Sequence, residues 1–116
     1  MTDWRSILKG FQGATEETPF GPEALVYKVG GKMFAILAAD ETPQRLSLKG
    51  PPERNRELRA IYPAITPGYY LNKTHWNTIT IDGTVEEPLI RELIDESYAL
   101  IVAGLPKRLK VLFSGS

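Results

Sequence analysis

Cysteine is absent from these 116 residues. Disulfides, thiolate nucleophiles and cysteine-bound zinc are excluded together, and a reducing cytoplasm is the expected setting. His75 is the sole histidine, which leaves no two-histidine metal site. No apolar run approaches the roughly 20 residues that span a bilayer. The start, Met1-Thr2-Asp3-Trp4-Arg5, lacks the basic and then apolar regions of a signal peptide. Net charge is missing as well, with 14 Lys and Arg against 14 Asp and Glu, which argues against a dedicated polyanion binder. No Gly-Lys-Ser/Thr follows Gly30-Gly31, so that pair is not a phosphate loop. No cofactor, metal or membrane is expected.

What is present suits one globular domain spanning 1–116, at 42% apolar and 24% charged residues. Its charge is unevenly spread: residues 1–43 carry −2, 44–80 carry +4, 81–104 carry −5 and 105–116 carry +3. Because Coulomb attraction reaches about a Debye length, roughly 10 Å, a neutral chain can still present a basic face. The competing outcome is neutralisation of one sign by the other across the fold.

Trp4, Ile7, Leu8 and Phe11 recur at helical spacing behind a capping Asp3. Thr15–Glu23 reads as a loop. Leu25–Val29 and Lys32–Ala39 around Gly30-Gly31 read as a hairpin whose turn needs positive φ; a two-residue turn puts Tyr27 opposite Phe34 and Leu25 opposite Ile36. Gln44–Lys49 adds a third strand with Leu46 and Leu48 inward. A second helix opens at Pro52, with Leu58, Ile61 and Tyr62 inward and Arg54, Arg56 and Arg59 toward solvent. Tyr69–Leu71 and Trp76–Ile81 are expected as short strands. Thr84 and Glu87 have capping-box spacing before a third helix, whose buried stripe is Leu89, Ile90, Leu93, Ile94, Ser97, Ile101 and Leu105. Gly104 and Pro106 end it, with Lys107 and Arg108 at its negative pole, and 113–116 are expected to fray. The order predicts an α+β fold, an antiparallel β-sheet with helices packed on one face.

Chemistry-bearing constellations are few. A Ser97–His75–Asp95 triad can be drawn on paper, but no nucleophile elbow accompanies it, and a non-enzymatic domain is expected; an enzyme using His75 is the lesser alternative. The acidic side chains Glu86, Glu87, Glu92, Asp95 and Glu96 lie along one helix, which suits a solvated face better than a cation site. Residues 67–78 (PGYYLNKTHWNT) concentrate a cation, aromatic rings, amides and an imidazole. There Lys73 can hold a phosphate, Asn72 and Asn77 can hydrogen-bond to backbone or bases, and Tyr70 or Trp76 can stack. The alternative is that Tyr69 and Trp76 pack the core while Asn72 and Asn77 tie the turn.

This segment with Asp82-Gly83 resembles the signature of the MmcQ/YjbR family, PGYHxNKxHWNTV followed by DG. Further pieces agree in order: Pro19-Phe20-Gly21-Pro22, Val26 through Ala35, Leu48-Lys49, Ser97-Tyr98 and Leu105-Pro106-Lys107. Two departures stand out: Tyr70 replaces the family's His, and Gly50-Pro51-Pro52-Glu53 replaces a stretch that often carries Cys and Asp. The resemblance implies a small bacterial protein with a CyaY-like, frataxin-related fold. Iron binding of the frataxin kind is not expected, since residues 2–13 carry only Asp3 as an acid.

The resemblance further implies DNA binding through wing-like hairpins, with double-stranded DNA as the partner. The expected contacts are Lys28, Lys32, Arg54, Arg56, Arg59, Asn72, Lys73, His75, Trp76 and Asn77, mainly to phosphates. The alternative is a protein-interaction or small-ligand module using the Tyr69, Tyr70 and Trp76 surface.

Overall fold

A computed structural model of the chain describes residues 2–68 and 71–113. Its elements are α1 (Trp4–Lys9), β1 (Thr15–Glu17), β2 (Leu25–Val29), β3 (Lys32–Ala38), β4 (Arg45–Lys49), α2 (Pro52–Ile61), β5 (Ile65–Pro67), β6 (Trp76–Thr80), α3 (Glu87–Ala103) and α4 (Lys107–Phe113). Six antiparallel strands form one sheet in the order β1-β2-β3-β4-β6-β5. This is the expected α+β architecture.

Strand alternation divides the sheet into two faces. Leu25, Tyr27, Ala35, Leu37, Leu46, Leu48, Ile65 and Ile79 point to the helices and join Trp4, Leu8, Leu58, Ile90, Ile94 and Ile101 in one core. Val26, Ile36, Ala38, Arg45, Ser47, Thr78 and Trp76 alternate with them and point the other way. Asp3 caps α1 as expected, its carboxylate accepting the Ser6 N–H at 3.1 Å. Gly30 and Gly31 both adopt positive φ, +58° and +80°, the turn their sequence demanded.

Several expectations need correction. The hairpin register is offset past the turn: Tyr27 pairs with Ala35 and Leu25 with Leu37, because a bulge between Tyr27 and Lys28 leaves Phe34 as an extra residue on β3. The bulge lets the consecutive Phe34 and Ala35 both be buried in the core. Thr15–Glu17, expected as loop, is the edge strand β1; with three polar residues it shows no apolar alternation. The partner of β6 is β5, whereas Leu71 forms a bend and no strand; Tyr69 and Tyr70 lie outside the described residues. Ile61 is exposed, and Asn55 takes the inward position on α2 beside Leu58.

The capping box does not form. Asp82 Oδ1 accepts both the N–H and the hydroxyl of Thr84, and α3 begins instead behind Glu86 with Pro88 in its first turn. Its buried stripe, Ile90, Leu93, Ile94, Ser97 and Ile101, is as expected. Pro106 then starts a further helix, so Lys107 and Arg108 belong to α4 rather than to the end of α3. Phe113 is part of α4 and packs against the core, not in a frayed tail; 114–116 lie outside the described residues. No helix among the described residues is long and apolar enough to cross a membrane.

Candidate nucleic-acid interface

The signature turn is built by its own side chains. Asn72 Oδ1 accepts the N–H groups of Thr74 and His75 at 2.9 and 3.2 Å, and the turn closes through Trp76 N–H to the Asn72 carbonyl at 2.9 Å. Lys73, Thr74 and His75 are left exposed at its tip. Asn72 is therefore a turn-forming residue, with its amide oxygen already engaged.

Helix α2 lies against this turn. Arg59 Nη1 donates to the Lys73 carbonyl at 3.0 Å and to Asn77 Oδ1 at 2.9 Å. Asn55 Nδ2 donates to the carbonyls of Gly50 and Thr74, and Asn77 Nδ2 donates to the Asn55 carbonyl. Both amides are buried. They hold helix to turn, as buried polar groups with full partners do. Because the acceptors of Arg59 are neutral, its positive charge is not cancelled there. Arg56, three positions earlier, is exposed, and so is Lys73. Residues 63–81 contain no Asp or Glu. The structure thus brings Arg59 to the turn that carries Lys73 and His75, while Arg56 lies about one helical turn earlier on α2, a helix that also carries Glu53 and Glu57.

The remaining expected contacts lie elsewhere. Arg54 faces α3, where Glu92 and Glu96 both lie at 3.4 Å from Nη2. Lys28 pairs with Glu17 at 3.2 Å on the β1 side of the sheet. Lys32 stands at the hairpin tip, which packs on Leu105 at the α3–α4 junction, the end of the molecule that also carries Lys107 and Arg108. Trp76 is buried on the face away from the helices and cannot stack on a base without leaving that position. Asn77 is buried as well, its amide oxygen and nitrogen both engaged.

The drawn triad is not assembled. Ser97 Oγ is sealed in the core, donating to the Phe34 carbonyl at 2.6 Å and accepting the Lys49 N–H at 3.0 Å. His75 and Asp95 are exposed, and no hydrogen bond joins the three among the described residues. The acidic face of α3 is largely engaged: Glu92 and Glu96 by Arg54, Glu87 by Arg91 and Thr2, and Glu86 by the Tyr62 hydroxyl. One network went unseen in the sequence. Glu16 on β1 accepts a bidentate pair from Arg5 and the Tyr27 hydroxyl at 2.6 Å. Arg5 holds the Glu16 carboxyl down to about 2, against the opposing effect of burial and with help from Tyr27. Burial, then the bond to Glu16, pushes the Tyr27 phenol well above its usual range.

Residues 9–100 match the family model described as YjbR. An uncharacterized protein YbdF of Escherichia coli O157:H7 is 41% identical over 90 residues, covering 78% of this chain and 74% of that protein. An uncharacterized protein YjbR of Escherichia coli K12 is 33% identical over 100 residues, covering 86% of this chain and 85% of its own. The crystal structure of Deinococcus radiodurans protein DR2400, of domain family DUF419, superposes with a TM-score of 0.89 at 42% identity, covering 97% of this chain and 86% of that one.

Proposed function

This chain belongs to the YjbR family, and from that premise we propose that it is a non-catalytic binding domain that holds double-stranded DNA by its phosphates through the surface shared by α2 and the 72–75 turn. The observation that carries this reading is the clamp of Arg59 on the Lys73 carbonyl and Asn77, which sets Arg59, one helical turn from Arg56, against a turn within a stretch, 63–81, that holds no carboxylate. Point charges and a guanidinium suit phosphate oxygens, which carry no base identity. The role of Asn72, Asn55 and Asn77 is to hold that surface rigid. Lys28 and Arg54 are excluded from it by Glu17, Glu92 and Glu96.

Three phosphate contacts predict a slope of about −2.7 in log affinity against log salt, so binding weakens about 40-fold between roughly 50 and 200 mM. Fluorescence anisotropy with a labelled duplex measures this. The double variant Arg56→Gln, Lys73→Gln leaves one contact and a slope of about −0.9. Absence of binding at the lower salt, or a slope that the double variant leaves unchanged, rejects the reading.

A further inference from the structure

The face of the sheet turned away from the helices is not flat. Phe20, Glu23 and Ala24 of the β1–β2 loop and Leu71 help to line a cleft of about 550 Å³ there. Its floor is Ile36 and Ala38 of β3 with Ser47 and Thr78, whose hydroxyls are hydrogen-bonded to each other at 2.8 Å. Phe20, on the loop, lines it with a ring that is 69% exposed. This volume falls within the range of small-molecule sites, about 300–1,000 Å³, and an apolar floor with a few convergent polar groups is their usual make-up.

The charges at the cleft choose among ligands. Glu23, Glu41 and Arg45 line it. Arg45 is already bound by Glu41 through two hydrogen bonds, so an incoming carboxylate would have to displace that pair. Glu23 has no ion-pair partner among the described residues and is exposed beside Phe20. One carboxylate is thus in excess, next to an aromatic face whose quadrupole attracts cations. We propose that this cleft binds a small organic cation with an apolar body, the body resting on Ile36, Ala38 and Leu71 and the ammonium set between Glu23 and the Phe20 ring. The site lies on the opposite face of the sheet from α2.

The test is a titration of the intact protein, followed by ¹H–¹⁵N NMR, with 4-phenylbutylamine and separately with 4-phenylbutyrate. The amine is expected to move the amides of Ala24, Ile36, Ala38 and Ser47 saturably, while the acid does not. Glu23→Gln, an exposed change without consequence for folding, is expected to weaken the amine about two- to fivefold, the range for an exposed charge pair. Ala38→Phe fills the cleft floor and is expected to abolish saturation in a protein that keeps its dispersed spectrum. The proposal is overturned by an amine that gives no saturable shift, by equal response to amine and acid, by shifts confined to α2 and the 72–75 turn, or by unchanged affinity in Glu23→Gln.

Discussion

At Ser97 one hydroxyl serves three elements: it extends from α3, donates to the carbonyl of the bulge residue Phe34 and accepts from the end of β4. Ser97→Ala removes the partner of a buried carbonyl and of a part-buried N–H, which predicts a loss of about 1–3 kcal/mol in a urea unfolding curve. Glu16 supplies a second prediction. Its carboxyl is held at about 2, below the ordinary 4.5, chiefly by Arg5. A depressed carboxylate contributes stability that is complete above the unfolded value and is lost as pH falls through the folded one. The melting temperature should therefore fall between pH 4.5 and 2, and Glu16→Gln should flatten that limb while lowering stability at neutral pH. At this scale the sequence was partly legible. Asn72 and Asn77 did tie the turn, but Trp76 and Asn77 could equally be read as contacts, because polarity and aromaticity do not reveal which face of a strand is covered.

The hairpin of β2 and β3 shows what is readable at the scale of an element and what is not. Two adjacent glycines announced the turn, but nothing announced the bulge, which arises because Phe34 and Ala35 both find room in the core. The two glycines are not equivalent. A β-carbon on Gly30 would lie 2.7 Å from Leu105 Cδ1, whereas one on Gly31 would meet nothing within 4 Å. Gly30→Ala is expected to cost about 2–4 kcal/mol, from left-handed strain and displacement of Leu105. Gly31→Asn is expected to cost less than about 1 kcal/mol, since Asn tolerates that conformation. Thermal unfolding of the two variants separates them. The strands β1 and β5 escaped the reading because each is three residues long and lies at a sheet edge, where pairing to one neighbour demands little apolar pattern. The helix stripes of α1 and α3 were plain, since burying a face of a helix forces period 3.6 on the sequence.

Over the whole molecule, the uneven charge of the sequence is partly cancelled and partly kept. Cancellation acts between elements, as with Arg54 on Glu92 and Glu96 or Lys28 on Glu17. What is kept separates into the α2–turn surface and the α4 end. The ten expected contact residues were therefore divided among distant places, a partition decided by sheet order, which segment charges do not encode. Formal net charge is nevertheless zero, so self-repulsion is weak and a solubility minimum near neutral pH is expected in polyethylene glycol precipitation. Lys107→Glu, exposed on α4, should raise solubility there.

Two hydrogen atoms, in place of side chains, fasten the end of the chain. At Gly30 the missing carbon makes room for Leu105, and at Gly13 it makes room for the Phe113 ring, whose Cε1 would lie 2.1 Å from a β-carbon. Each socket is at a turn made early in the polypeptide, and each plug comes from its last dozen positions. The C-terminal helix is thus keyed to both the α1 exit and the hairpin tip. It cannot swing away without uncovering both.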